Sequence, residues 1–227
     1  MTSITENISS VIEQIQEFKR KYQRGSGAVA LLAVSKQQDV ASIRLAHAAG
    51  LKNFGENYLQ EAEPKIQALR DLDICWHFIG PIQTNKTRGI ATLFNWVHSV
   101  DREKVARRLS EQRDPALGPL NVCVQVNLSL EASKSGVELA ECRHLSELVS
   151  TLPNLCLRGL MAIPAPSNQL VAQRAGFRQL AAEYHLLAQR YPTMDTLSMG
   201  MSNDFEAAIA EGTTLVRIGS ALFGARH

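Results

Sequence analysis

Lys36 is the residue of this chain with the plainest chemical potential. It closes the run Val29-Ala30-Leu31-Leu32-Ala33-Val34-Ser35-Lys36 and is followed by the polar break Gln37-Gln38-Asp39. A run apolar on both faces reads as a strand covered on both sides, as in a parallel sheet, and ligands gather at the carboxyl ends of such strands. A partly desolvated amine there, close to other cations, has a lowered pKa and attacks a carbonyl to form a Schiff base. The plain alternative is a strand-end lysine reaching out to water. A second cluster lies near the far end, in Ser198-Met199-Gly200-Met201-Ser202-Asn203-Asp204 and Val216-Arg217-Ile218-Gly219-Ser220-Ala221-Leu222-Phe223-Gly224. Gly219 lets the backbone approach an anion, the amides of Gly219 and Ser220 point at it, and Ser202 at a helix N-terminus offers a hydroxyl. Read conservatively, Ser202 is only an N-cap and the glycines only turn residues.

The elements that must position these groups follow from periodicity. Ile4, Ile8, Val11, Ile12, Ile15 and Phe18 recur at helical spacing with Ser3 or Thr5 as cap, so an amphipathic helix precedes the first strand and is expected to cover one end of the sheet. Strand-like runs at 29–36, 53–57, 76–80, 96–100, 121–127, 157–163, 196–202 and 215–219 then alternate with helical stretches. About eight β/α units in about 200 residues match an α/β chain folded as a (β/α)8 TIM barrel near its lower size limit, with an extra N-terminal helix. A doubly wound open sheet needs fewer strands. No composition break divides the chain, so one domain is expected over 1–227, with the helix in 1–25 and the barrel in 28–224. Closing strand eight against strand one brings Lys36, Ser202, Arg217 and Gly219 to one rim. An electrophile-accepting lysine beside an anion cradle and an arginine suits a phosphorylated aldehyde, of which pyridoxal 5′-phosphate is the commonest cofactor.

Bulk properties narrow the field. Lys plus Arg number 24 against 22 Asp plus Glu, and a net charge of +2 with scattered basic residues gives no reason to expect nucleic acid. Cys75, Cys123, Cys142 and Cys156 show no CxxC spacing and read as reduced and structural. No histidine cluster has metal-ligand spacing, so no metal is expected. No stretch approaches a membrane span or a signal-peptide core, and a cytoplasmic protein is the expectation.

Ala33-Val34-Ser35-Lys36, Phe54-Gly55-Glu56-Asn57, Trp76-His77-Phe78-Ile79-Gly80, Arg158-Gly159-Leu160-Met161, Ser198-Met199-Gly200-Met201-Ser202 and Val216-Arg217-Ile218-Gly219 closely resemble, in order and over nearly the whole chain, the pyridoxal-phosphate homeostasis protein family. These are small single-barrel relatives of alanine racemase. The resemblance implies that Lys36 holds pyridoxal phosphate as a Schiff base, that Ser202, Gly219 and Ser220 contact its phosphate, and that Arg217 faces the pyridine nitrogen. A guanidinium can only donate, so it disfavours a proton on that nitrogen and makes the ring a weak electron sink. Racemases of this resemblance carry a second β-domain that supplies a catalytic tyrosine from the partner subunit. The chain stops at Arg226-His227 just after the eighth strand, so a two-base racemase is not expected, and a monomer is.

Asn57, beside strand one, is a candidate to bond the cofactor's ring oxygen. Tyr58 and Tyr184 are possible substitute bases whose simpler reading is packing, and His77 reads as a satisfied barrel histidine. Lys134, in Glu131-Ala132-Ser133-Lys134-Ser135-Gly136, is a candidate to meet the cofactor during transfer. The leading expectation is a cofactor-binding protein that takes part in vitamin B6 homeostasis without catalytic residues, with apoenzymes that use pyridoxal phosphate as partners. The alternatives are a single-barrel amino-acid racemase and a Schiff-base aldolase. The aldolase would need a carboxylate beside the lysine, and Glu56, whose commoner role is to pair with a cation, is the one near candidate.

Overall fold

A computed structural model of the chain describes residues 3–25, 27, 29–129 and 135–224. Lys134 and its neighbours from Leu130 to Ser133 lie outside the described residues. Eight parallel strands close into a barrel in sequence order: β1 (Ala30–Val34), β2 (Asn53–Glu56), β3 (Cys75–Phe78), β4 (Trp96–Val100), β5 (Leu120–Val126), β6 (Leu155–Ala162), β7 (Thr196–Ser198) and β8 (Leu215–Ile218). The helices between them are α2 (Val40–Ala48), α3 (Leu59–Ala68), α4 (Thr87–Leu93), α5 (Glu103–Gln112), α6 (Cys142–Thr151), α7 (Leu170–Arg190) and α8 (Phe205–Ala210), and the short α9 (Ser220–Phe223) follows β8. The expected (β/α)8 architecture is therefore present.

The helix α1 (Ile4–Lys21) is opened by a capping box, in which the Glu6 amide donates to Ser3 Oγ at 3.2 Å and the Ser3 amide donates back to Glu6 Oε2 at 2.7 Å. It does not cover an end of the sheet. Its buried residues Ile8, Val11 and Ile15 pack along the outside of the barrel, against α2, α8 and α9. Phe18 meets Phe205 edge-on at 5.4 Å between ring centroids, and Asn7 donates to the Leu222 carbonyl at 2.9 Å. The six-residue α8 is too short to cover its sector of the outer ring, and α1 covers the rest.

Register decides which residues face the barrel axis. Leu32 lies beside Arg217, Gly55 beside His77 and Met161 beside Ser198, and these point inward. Ala33 beside Ile218 points outward, into the continuous apolar layer between strands and helices that also holds Phe54, Phe78, Val97, Val124, Leu160 and Leu197. The axis is thus unusually polar for a barrel core. Cys75, Cys123, Cys142 and Cys156 are all free thiols, and burial pushes Cys75 up to about 11 and Cys142 up to about 12, which suits inert packing residues.

Candidate functional site

At the carboxyl end of β1 the chain turns over Ser35–Gln38, closed by a 3.0 Å bond from the Gln38 amide to the Ser35 carbonyl. Gln37 takes a left-handed conformation, φ 62°, which costs free energy in a side-chain-bearing residue and must be held by its surroundings. Those surroundings are a charged cluster. The Ser35 hydroxyl donates to Glu56 Oε1 at 2.7 Å, and Lys65 of α3 donates to the Ser35 carbonyl at 2.8 Å, to Glu56 Oε1 at 2.9 Å and to Glu61 Oε1 at 2.6 Å. The Gln37 amide donates to the same Glu61 oxygen. Lys36, half-buried, is thereby anchored through both chain neighbours.

Glu56 is fully buried, and burial outweighs the Ser35 hydrogen bond and the Lys65 charge, so its carboxyl lies above the ordinary carboxylate range. Its Oε1 is committed to Ser35 and Lys65. Glu56 is paired with a cation, as its strand-end position suggested, the cation comes from the neighbouring helix, and Glu56 Oε2 is buried without a hydrogen-bond partner.

Across the β1–β8 seam Gly219 packs closely on β1, where a Cβ would sit 3.3 Å from the Val34 carbonyl oxygen and 3.4 Å from Val34 Cβ, a tight fit. The Ser220 and Ser202 hydroxyls lie 3.2 Å apart. Ser202 is not the N-cap of α8: that position is Asp204, and Ser202 stands in the turn before it, where Asp204 Oδ1 accepts from the Met201 amide at 2.6 Å. Gly200, at φ +94°, lets the chain leave β7 for this turn, and a Cβ there would fall 2.6 Å from Ala208 Cβ. Arg217 is 3% exposed and donates to the Ser198 carbonyl at 2.7 Å, the Ser198 hydroxyl at 2.8 Å and the Ala162 carbonyl at 2.9 Å. Burial pulls its guanidinium down to about 10, so it stays charged at neutral pH.

Asn57 directly follows Glu56, the last residue of β2, and its Oδ1 is buried without a hydrogen-bond partner. Its carbonyl would lie 2.0 Å from a Cβ on Gly80, so the rims of β2 and β3 touch backbone to backbone. Lys36, Asn57, Ser202, Arg217, Gly219 and Ser220 therefore stand on one rim, at the ends of β1, β2, β7 and β8. Of the two tyrosines, Tyr184 packs in the outer helix α7 with its hydroxyl 3.4 Å from the Met194 carbonyl, and Tyr58 precedes α3 at 55% exposure. His77 is satisfied inside the barrel, as expected, by Asn53 and His98. Residue type and spacing alone did not single out Lys65, Glu61 or His98. Strand parity carried a signal for His98, because it occupies an inward position of β4 as His77 does of β3.

This fold and rim define a class, the parallel barrels built like the front half of alanine racemase, and the sequence model of the alanine racemase N-terminal domain matches residues 7–227. The chain belongs to the pyridoxal phosphate homeostasis proteins of that class. It is 58% identical over 226 residues to the pyridoxal phosphate homeostasis protein of Pseudomonas aeruginosa, spanning 100% of this chain and 97% of that one. Its identity to the Escherichia coli K12 protein of that name is 48% over 229 residues, covering 100% and 98% of the two chains. Among solved structures, PipY of Synechococcus elongatus with pyridoxal phosphate bound superposes with a TM-score of 0.84 at 35% identity, covering 98% of this chain and 100% of that one. Alanine racemase of Corynebacterium glutamicum shares the fold, with a TM-score of 0.66 at 18% identity over 95% of this chain but 63% of its own.

Proposed function

We propose that this chain binds pyridoxal 5′-phosphate covalently, as a Schiff base on Lys36, and serves vitamin B6 homeostasis by holding the reactive aldehyde and passing it to apoenzymes without turning over a substrate. The observation that carries this reading is the meeting of a strand-end lysine, its chain neighbours held by the Glu56–Lys65–Glu61 cluster, with a glycine- and serine-lined rim across the β1–β8 seam. The residues fit the cofactor: Gly219 presents backbone without a side chain, as close approach to a phosphate requires, Asn57 Oδ1 is buried without a partner, and Arg217 has spent three of its five N–H groups.

When bound, the cofactor supplies an electrophilic aldehyde and an electron-withdrawing ring. Lys36 would hold it, Ser202, Gly219 and Ser220 would take the phosphate, the Asn57 amide would serve the ring oxygen, and Arg217 would donate toward the ring nitrogen. A buried cation at that nitrogen opposes its protonation and weakens the ring as an electron sink. Carbanion chemistry would then depend on well-placed bases, and the candidate tyrosines are turned to packing or solvent. The homeostasis proteins are matched over nearly their full length, whereas over a third of the racemase lies beyond the match.

The test is the visible spectrum of the purified protein after addition of pyridoxal phosphate, beside that of Lys36→Ala. A yellow band absent from the variant, with the borohydride-reduced adduct mapped to Lys36, is the expected result. A chain that takes up none of the cofactor overturns the proposal. Incubation with amino acids in deuterated water then separates carrier from enzyme: α-deuterium appearing at enzymatic rates would favour the racemase reading.

A further inference from the structure

Below the rim, the barrel axis holds buried polar groups that cofactor binding leaves without a task. Rising from the amino-terminal mouth, Asn53 Oδ1 lies 3.2 Å from His77 Nε2, and His77 Nδ1 lies 2.9 Å from His98 Nε2. His98 Nδ1 lies 2.9 Å from Ser198 Oγ, which accepts from Arg217 Nη1 at 2.8 Å. Trp96 stacks on His77, 13° from parallel at 5.4 Å, and fixes the plane of that ring. The lower end opens on a cavity of about 250 Å³ lined in part by Asn53, His77, Trp96 and Asp195.

The two ends of this chain have fixed roles, because a guanidinium only donates and an amide oxygen only accepts. With both imidazoles neutral, each link between them then has one assignment. His77 Nε2–H donates to Asn53, His98 Nε2–H donates to His77 Nδ1, and the Ser198 hydroxyl donates to His98 Nδ1, leaving an oxygen lone pair for Arg217. Reversal would set Asn53 Oδ1 against an unprotonated His77 Nε2 and leave the Ser198 hydrogen without its acceptor, two penalties of which the one at Asn53 disappears when that acceptor is removed. Neutrality follows from position. His77 and His98 are 2% and 0% exposed, burial lowers both, His77 to about 3, and His98 also faces the Arg217 charge.

We propose that Asn53, His77, His98 and Ser198 are positioning residues for Arg217, forming a one-way hydrogen-bond chain in which the acceptor at the amino-terminal mouth sets the direction of the hydroxyl under the guanidinium. The chain stands on this geometry alone; its bearing on the cofactor ring rests on the proposed placement of Arg217 at the ring nitrogen.

Long-range proton–nitrogen correlation spectra of the histidine-labelled, cofactor-free protein at neutral pH test it. The expected spectrum shows His77 and His98 both as neutral Nε2–H tautomers, with a coupling across the bond between them. In Asn53→Ala the end acceptor is replaced by water, which donates as readily as it accepts, so an Nδ1–H population appears at His98, two links away. Asn53→Asp restores the original pattern, which a purely structural role for Asn53 would not predict. An Nδ1–H or charged His98 in the unsubstituted protein, or a His98 pattern unmoved by Asn53→Ala, overturns the proposal. Loading with ring-nitrogen-labelled pyridoxal phosphate adds a second reading. The ring resonance shifts in Asn53→Ala if the chain reaches through Arg217, and a fixed resonance sinks that coupling. A protein that takes up no cofactor would defeat the proposed function and still leave the histidine spectra to decide the chain.

Discussion

Two lysines flank the turn after β1, and their neighbours divide the work between them. Lys65 spends its charge on Glu56 and Glu61 and its third hydrogen on the Ser35 carbonyl, with side-chain exposures of 9% for Lys65 and 0% for Glu56. Removing one partner of such a buried pair costs about 3–5 kcal/mol, because the other is left charged and unpaired. Lys65→Met is therefore expected to lower the urea midpoint, and the loss should be greater at pH 8 than at pH 5. Glu56 binds its proton more tightly in the folded state than in the unfolded chain. Its contribution is thus fully present below the ordinary carboxylate range and is lost as pH rises through the raised folded value, a window that the variant widens. Glu56→Gln combined with Lys65→Met should recover most of the stability, and a penalty equal at both pH values would refute this account. At this scale the sequence was legible in where a residue stands, as with Lys36 just after β1 and Arg217 within β8, while the roles given to them are the proposal's. It was silent on Lys65, whose helical i, i+4 spacing from Glu61 looks like any solvated surface pair until α3 docks beside β2.

Among the elements, β7 and the turn that follows it show where pattern reading stops. The run 196–202 reads as one strand, yet β7 ends at Ser198 because Gly200 leaves the β region. That turn places Ser202 against Ser220 rather than at a helix cap. Gly200→Ala would force a Cβ into a left-handed backbone and against Ala208. It should cost roughly 1–2 kcal/mol from conformation alone, with the contact adding to it, and should weaken cofactor binding more than a surface substitution of equal stability cost. Thermal melts paired with a cofactor titration measure both, and unchanged affinity would show that the Ser202 turn does not hold the phosphate. The position of α1 was not legible either. Its amphipathic spacing announces a buried face but not which surface receives it, and the vacancy beside the short α8 appears only once the barrel is closed.

For the molecule as a whole, eight strand–helix alternations made the barrel legible, because that count leaves few other ways to bury both faces of every strand. The polar axis was hidden, since its partners come from strands far apart in sequence. If the cofactor bridges β1 and β8 as proposed, binding it stabilises the closed form, by about 2.7 kcal/mol at a free concentration one hundred times Kd. The melting temperature should therefore rise with added pyridoxal phosphate, and most of the rise should vanish in Lys36→Ala; an equal rise in the variant would place the ligand elsewhere.

Closure across β1 and β8 also sets an order of events during synthesis. The first strand of the barrel finds its last partner only when Leu215–Ile218 have left the ribosome, and α1 must wait as long for α8 and α9. Until then β1 is an open edge on a growing chain, the kind of surface that invites mispairing and chaperones. The rim assembles last, from the two ends of the barrel, so if Lys36 takes the aldehyde as proposed, a truncated translation product has the lysine without its cradle, and capture becomes a property of finished molecules.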